Sequence, residues 1–159
     1  MSKNFPLVLD SKNLSEAVEF YKSQNKKIVF TNGCFDLLHI GHVRYLAEAA
    51  ALSDVLFVGV NSDSSVQKLK GPTRPIQSEN DRAEILASLK SVTHTILFSE
   101  DTPLELIQKV KPDVLVKGGD WAIAQIAGSD FVLKNGGKVL SLQFVDGKST
   151  TSIIEKSKN

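Results

Sequence analysis

The run Val55-Leu56-Phe57-Val58-Gly59-Val60 contains no polar side chain and stands between Asp54 and Asn61. A strand that keeps one face in water alternates apolar and polar residues, and this run does not alternate. It predicts a central parallel strand covered by helices on both faces. Parallel neighbours need crossover connections, usually helices, so the rest of the chain should alternate strands with helices. Lys27–Thr31, Thr95–Phe98, Val114–Val116 and Lys138–Leu142 supply four more short apolar runs. Helical spacing fills the gaps. Leu14, Ala17, Val18 and Tyr21 share a face after a capping-box-like start at Asn13 and Glu16. Val43, Leu46, Ala47 and Ala50 mark a second helix, and Ile85, Leu86 and Leu89 a third that Ser78 can cap. Pro103–Val110 begins with proline, Phe131–Lys134 stops at Gly136-Gly137, and Thr150–Lys156 is the last helix. The expected fold is α/β: a Rossmann-like, doubly wound parallel sheet of about five strands with helices on both faces. Residues 1–26 are expected as an N-terminal helical extension and 27–159 as the main domain, one domain overall. The polar, basic stretch from Asn61 to Gln77, with two prolines, reads as a long functional loop.

Composition excludes several classes. The 159 residues suit one domain, and a single cysteine cannot close an intramolecular disulfide, which fits a reducing compartment. With 19 Lys and Arg against 18 Asp and Glu the formal charge is +1, so no global field draws the chain to nucleic acid or anionic lipid. No apolar run approaches the roughly 18 residues of a membrane span. The start Met1 to Asp10 places Pro6 and Asp10 where a signal peptide needs a longer apolar stretch. A cytoplasmic protein with no nucleic-acid or membrane partner is the expectation.

Chemistry concentrates in Thr31-Asn32-Gly33-Cys34-Phe35-Asp36-Leu37-Leu38-His39-Ile40-Gly41-His42. The segment runs from the end of the first strand into the next helix, the crevice where open α/β sheets take ligands. Free N–H groups and partial positive charge at a helix start make phosphate the expected guest. His39 and His42, three apart, fall on one side of the first turn. Gly41 between them removes a Cβ and lets a bulky anion approach the backbone. The other histidine, His94, lies in a strand-like run and reads as structural, so no metal site is expected. Cys34 has no general base paired with it in the sequence, and packing is its favoured reading.

The pattern Thr-x-Gly-x-Phe-Asp-x-x-His-x-Gly-His at Thr31 to His42 resembles the signature of the cytidylyltransferase-like nucleotidyltransferases. Further stretches recur in order: Val60-Asn61-Ser62-Asp63, Lys68-Leu69-Lys70-Gly71, Arg74-Pro75, Asp81-Arg82, Leu115 to Asp120, and Asp146 to Thr151. Together they look like the heptose 1-phosphate adenylyltransferases of that family, over roughly Lys27 to Lys156. The resemblance implies transfer of AMP from ATP to D-glycero-β-D-manno-heptose 1-phosphate, giving ADP-heptose and pyrophosphate for lipopolysaccharide core biosynthesis. It implies Mg²⁺ with ATP, a homodimer, and a separate heptose kinase to supply the acceptor, since no sugar-kinase domain is visible in these residues. His39, His42 and Lys68 are the expected catalytic groups. Thr31, Asn32, Gly33, Cys34, Phe35, Gly41, Asn61, Lys70, Arg82, Gly118, Gly119, Asp120, Ser149, Thr150 and Thr151 are expected at the nucleotide, and Asp36 and Lys117 at the sugar phosphate.

The residues agree with that chemistry on their own terms. A sugar phosphate is already an anionic nucleophile, so attack on the α-phosphorus needs positioning and charge neutralisation rather than a general base. Lys68 and Lys70 either clamp a triphosphate on loop closure or stay solvated. Arg82 near a helix start either grips phosphate bidentately or forms an ordinary surface ion pair. Asp120 after Gly118-Gly119 either lies beside the base or makes a structural turn. Ser149 to Thr151 can hold phosphates and cap the last helix at once. Glycerol-phosphate-type cytidylyltransferases carry an arginine before their Ser-Thr-Thr, where this chain has Phe144-Val145-Asp146. Two other readings stand beside this one: a cytidylyltransferase for a polyol or amino-alcohol phosphate, and a non-catalytic nucleotide-binding regulatory module.

Overall fold

A computed structural model describes residues 4–158, so residues 1–3 of the expected extension and residue 159 of the expected main domain lie outside it. Six parallel strands form one sheet in the order β1-β4-β3-β2-β5-β6. They are β1 (Val8–Leu9), β2 (Ile28–Gly33), β3 (Val55–Asn61), β4 (His94–Phe98), β5 (Val114–Gly118) and β6 (Lys138–Leu142). The helices are α1 (Ser11–Ser23), α2 (Ile40–Ala50), α3 (Asp63–Lys70), α4 (Glu79–Ala87), α5 (Leu104–Val110), α6 (Ser129–Lys134) and α7 (Thr150–Ser157). β3 is buried along its whole length, as its uninterrupted apolar run requires.

Strand alternation divides the core in two. Ile28, Phe30 and Phe57 point to one face, where they meet Leu14 and Val18 of α1 and Ile107 of α5. Val29, Leu56 and Val58 point to the other, against Leu46 of α2 and Leu86 of α4. The N-terminal helix thus belongs to the main core. His94 is structural: its Nδ1–H donates to the Pro6 carbonyl at 2.9 Å, leaving Nε2 to accept from the Tyr21 hydroxyl at 2.9 Å. No helix among the described residues is long and apolar enough to cross a membrane.

Three expectations change. The sheet gains a sixth strand, β1, whose two residues pair with Thr95 and Ile96 of β4 and are too few to carry a periodic signal. α1 is capped by Asp10 rather than by Asn13: the Asp10 carboxylate accepts the Asn13 N–H at 2.7 Å. Nearly half of the expected loop from Asn61 to Gln77 is helix. Ser62 caps α3 by accepting the Ser65 N–H, Val66 anchors it in the interior, and Gly71 at φ 99° ends it.

Chain direction decides where a ligand can sit. From β2 the chain builds outward through β3 to β4, then crosses back to place β5 on the other side of β2. The loops leaving β2 and β5 therefore diverge and open a crevice at the carboxyl edge of the sheet.

Candidate active site

That crevice is a cavity of about 730 Å³. Its floor is Asn32 and Gly33 at the end of β2, and one wall is the start of α2. His39 is the N-cap of α2, its Nδ1 accepting the Gly41 N–H at 3.1 Å. A neutral imidazole that accepts at Nδ1 carries its proton on Nε2. The His42 ring stacks on it with centroids 3.9 Å apart, and Phe35 meets His42 edge-on at 5.2 Å. Burial, with His39 beside it, pushes the His42 imidazole down to about 4. Burial and then Lys148 also lower His39. At neutral pH both rings are uncharged, and an incoming polyphosphate supplies the negative charge that favours their protonation. His42 Nδ1 is buried with no partner among the described residues, an unspent polar atom at the cavity wall.

Gly41 serves a purpose other than access for an anion. A Cβ there would stand 2.9 Å from the His39 ring, so the missing side chain makes room for the capping imidazole. Gly118 at the end of β5 acts likewise: a Cβ would meet the Phe144 ring at 2.6 Å. Phe144 and Trp121 stay about half exposed and line the cavity beside Gly118. The Trp121 indole N–H donates to the Gly118 carbonyl at 3.1 Å, and the Lys117 ammonium lies 5.8 Å from the Trp121 ring centroid. Burial lowers Lys117, opposed by the nearby Cys34. Burial in turn pushes the Cys34 thiol up, which suits packing better than nucleophilic attack.

The adjoining wall comes from the chain end. Ser149 caps α7 by accepting the Ser152 N–H, and the Thr150 hydroxyl donates to the Leu37 carbonyl at 2.9 Å. This bond ties α7 to the loop before α2. The starts of two helices, with Lys148, therefore line one end of the cavity. Asn61 at the end of β3 and Lys70 at the end of α3 complete the lining.

Fourteen expected residues thus converge, from Asn32 to Asp36, His39, His42, Asn61, Lys70, Lys117, Gly118 and Ser149 to Thr151. Several others do not. Thr31 is fully buried and gives its hydroxyl to Tyr45 at 2.6 Å, so it braces β2 against α2. Lys68 is not a lining residue; it sits at the cavity edge, in an exposed ion pair at 3.4 Å with Asp101, which does line the cavity. Gly119 and Asp120 stand beyond the lining residues, and the Gly119 carbonyl is taken by the Ser141 hydroxyl. Arg82 is the plainest correction. It is 1% exposed and spends its guanidinium inside the protein: Nε to Gln77 O, Nη1 to Cys34 O and Nη2 to Asp63. With its side chain wholly buried, the guanidinium presents no edge to a phosphate in the cavity.

Asp36 also has a task within the protein. Burial opposes its ionisation. Hydrogen bonds from the Gln77 and Ile76 N–H groups and from Arg74 outweigh that and hold the carboxyl below the usual range. The residues missed at this site include Arg74, Lys148, Tyr45, Trp121 and Phe144. Arg74 and Phe144 stood inside quoted stretches, without a motif to single them out. Among the described residues no group of three or more His, Cys, Asp or Glu is arranged to hold a metal.

Comparison with known proteins gives a consistent result. The family model described as cytidylyltransferase-like matches residues 30–156. The bifunctional protein HldE of Geobacter metallireducens is 54% identical over 143 residues, covering 90% of this chain and 29% of that protein. HldE of Caulobacter vibrioides is 52% identical over 149 residues, covering 94% of this chain and 31% of that protein. The chain thus spans about three-tenths of the length of these relatives. A lipopolysaccharide core biosynthesis protein from Thermoplasma volcanium superposes with a TM-score of 0.63 at 31% identity, covering 77% of this chain and 99% of that one. A pantoate-beta-alanine ligase from Francisella tularensis shares the fold, with a TM-score of 0.62 at 18% identity over 96% of this chain and 77% of that one.

Proposed function

The chain belongs to the cytidylyltransferase-like family of nucleotidyltransferases, and from that premise we propose that it transfers AMP from ATP to a sugar 1-phosphate. The acceptor we propose is D-glycero-β-D-manno-heptose 1-phosphate. One observation carries the reading: the stacked His39–His42 pair, Lys148 and the start of α7 share one end of the cavity at the switch point of the sheet. Such an array neutralises charge on a polyphosphate, and it contains no nucleophile–base pair for hydrolysis. The likeness to HldE proteins at 51–54% identity supports the heptose acceptor.

In this reading an oxygen of the sugar 1-phosphate attacks the α-phosphorus of ATP. The new O–P bond forms as the bond to the β-phosphate oxygen breaks, and pyrophosphate leaves with the electron pair. No proton needs to be removed from the attacking group. His39 Nε2–H donates to the developing charge, and Lys148 with the start of α7 neutralises the leaving group. Phe144 and Trp121 offer aromatic faces for the adenine. Among the described residues no acidic cluster is arranged for a metal, so Mg²⁺ would enter with the nucleotide and add positive charge at its phosphates. The proposal also takes in a homodimer, a cytoplasmic location and a sugar kinase that supplies the acceptor.

Pyrophosphate release with MgATP or MgCTP and a panel of sugar 1-phosphates tests the proposal. ATP is expected to exceed CTP at least about tenfold in kcat/KM, because a site that pairs the adenine edge leaves buried polar groups unpaired with cytosine. Equal use of CTP would turn the reading to cytidylyl transfer. No release with any acceptor would leave a non-catalytic nucleotide-binding module.

A further inference from the structure

An in-line displacement holds two anions at once, the leaving pyrophosphate and the attacking phosphate, on opposite sides of the α-phosphorus. The cations of the cavity fall into two groups. Lys148 acts on His39 at the α7 end. Lys70, Arg74 and Lys117 instead line the cavity together with Cys34, and their charges bear on its thiol. Within the second group only Arg74 has its head group fixed by the protein.

The fixing device is Asp36, which is 2% exposed. Its carboxylate accepts Arg74 Nε–H at 2.6 Å and the backbone N–H groups of Ile76 and Gln77 at 2.8 and 3.0 Å. One carboxylate therefore pins both the guanidinium and the turn that carries it. The pairing uses Nε alone. Among the described residues neither terminal nitrogen of Arg74 finds an acceptor, although its side chain is only 14% exposed. Arg82, eight residues on, shows the contrast, since all three of its nitrogens are bonded to protein. A guanidinium held on the cavity wall with its two-nitrogen edge unspent is shaped for bidentate contact with a phosphate.

We propose that Arg74 binds the phosphate of the acceptor sugar, with Lys117 in support and Asp36 as the positioning residue that aims it. The proposal rests on the sugar 1-phosphate reading above. It makes Asp36 a support for the substrate-binding arginine rather than itself a ligand of the sugar phosphate.

Kinetics of Arg74→Lys and Arg74→Ala test it, with circular dichroism as the check on folding. Losing a charge-assisted bidentate contact is expected to raise KM for the heptose 1-phosphate about 10- to 100-fold. KM for ATP should stay within about twofold. Asp36→Asn should shift the acceptor KM in the same direction, a split that a merely structural role would not produce. An unchanged acceptor KM, or an equal rise for ATP, would overturn the assignment. Should Arg74→Ala fail to fold, Arg74→Lys, which retains the charge and stem, decides the matter. Calorimetric titration of inorganic phosphate into wild type and Arg74→Lys separates this proposal from the reaction reading. Phosphate affinity weakened about tenfold in the variant supports the subsite even if no acceptor is turned over. Equal affinities, or no phosphate binding by the wild type, would overturn it.

Discussion

Arg74 and Arg82 flank one turn and use the same head group in opposite ways. Arg82 closes the molecule from within, joining the loop after β2, the residue before the α4 cap and the first turn of α3 through Cys34, Gln77 and Asp63. Replacing it with alanine leaves two carbonyls without donors and a carboxylate without its cation. A loss of about 3 kcal/mol in unfolding free energy is expected from denaturant titration of Arg82→Ala. A change below about 1 kcal/mol would show that these bonds are replaced by water at no cost. Neither arginine's position is legible in spacing. The acceptors of Arg82 come from three separate segments, and Asp36 lies 38 residues from the arginine it holds. His39 and His42 are legible because their geometry is local: a cap and the residue three places on share a helix face whatever the rest of the chain does.

At the scale of elements, α3 shows what a residue pair gains and loses by being helical. On a flexible loop Lys68 and Lys70 could both turn inward. In a helix each residue advances about 100°, so neighbours two apart point to nearly opposite sides. Lys70 lines the cavity, while Lys68 stays off the lining and pairs at its edge with Asp101, an exposed pair of little energetic worth. Lys70→Ala is expected to lower kcat/KM about 100-fold, and Lys68→Ala to leave it within about threefold. Equal losses in steady-state assays would mean that α3 unwinds or turns during the reaction. The helix escapes a reading based on hydrophobic period because only Ser65 and Val66 are buried. Ser62 and the acidic Asp63 after it were the available signal, a cap followed by a favourable charge at the helix start. β1 carried no comparable signal, since its identity as a strand depends on β4 beside it.

For the whole molecule, β3 and its flanking helices follow from an apolar run that no other environment accommodates. The order of the strands is set by crossovers, and it places the motif after β2 opposite the glycines after β5. α7 stands apart from this frame. None of its residues is buried, and it is fastened near its start by Thr150 on the Leu37 carbonyl. An element with so little buried surface opens more readily than the sheet it rests on. Heating should therefore inactivate the protein before it melts it: the midpoint for loss of turnover should fall several degrees below the midpoint of sheet unfolding. Coincident midpoints in parallel activity and circular-dichroism scans would show that α7 and the sheet unfold as one unit. With the two midpoints apart, thermal tolerance of the reaction is set by a single hydroxyl and its neighbours rather than by the core, and engineering for heat begins at the last eight helical residues.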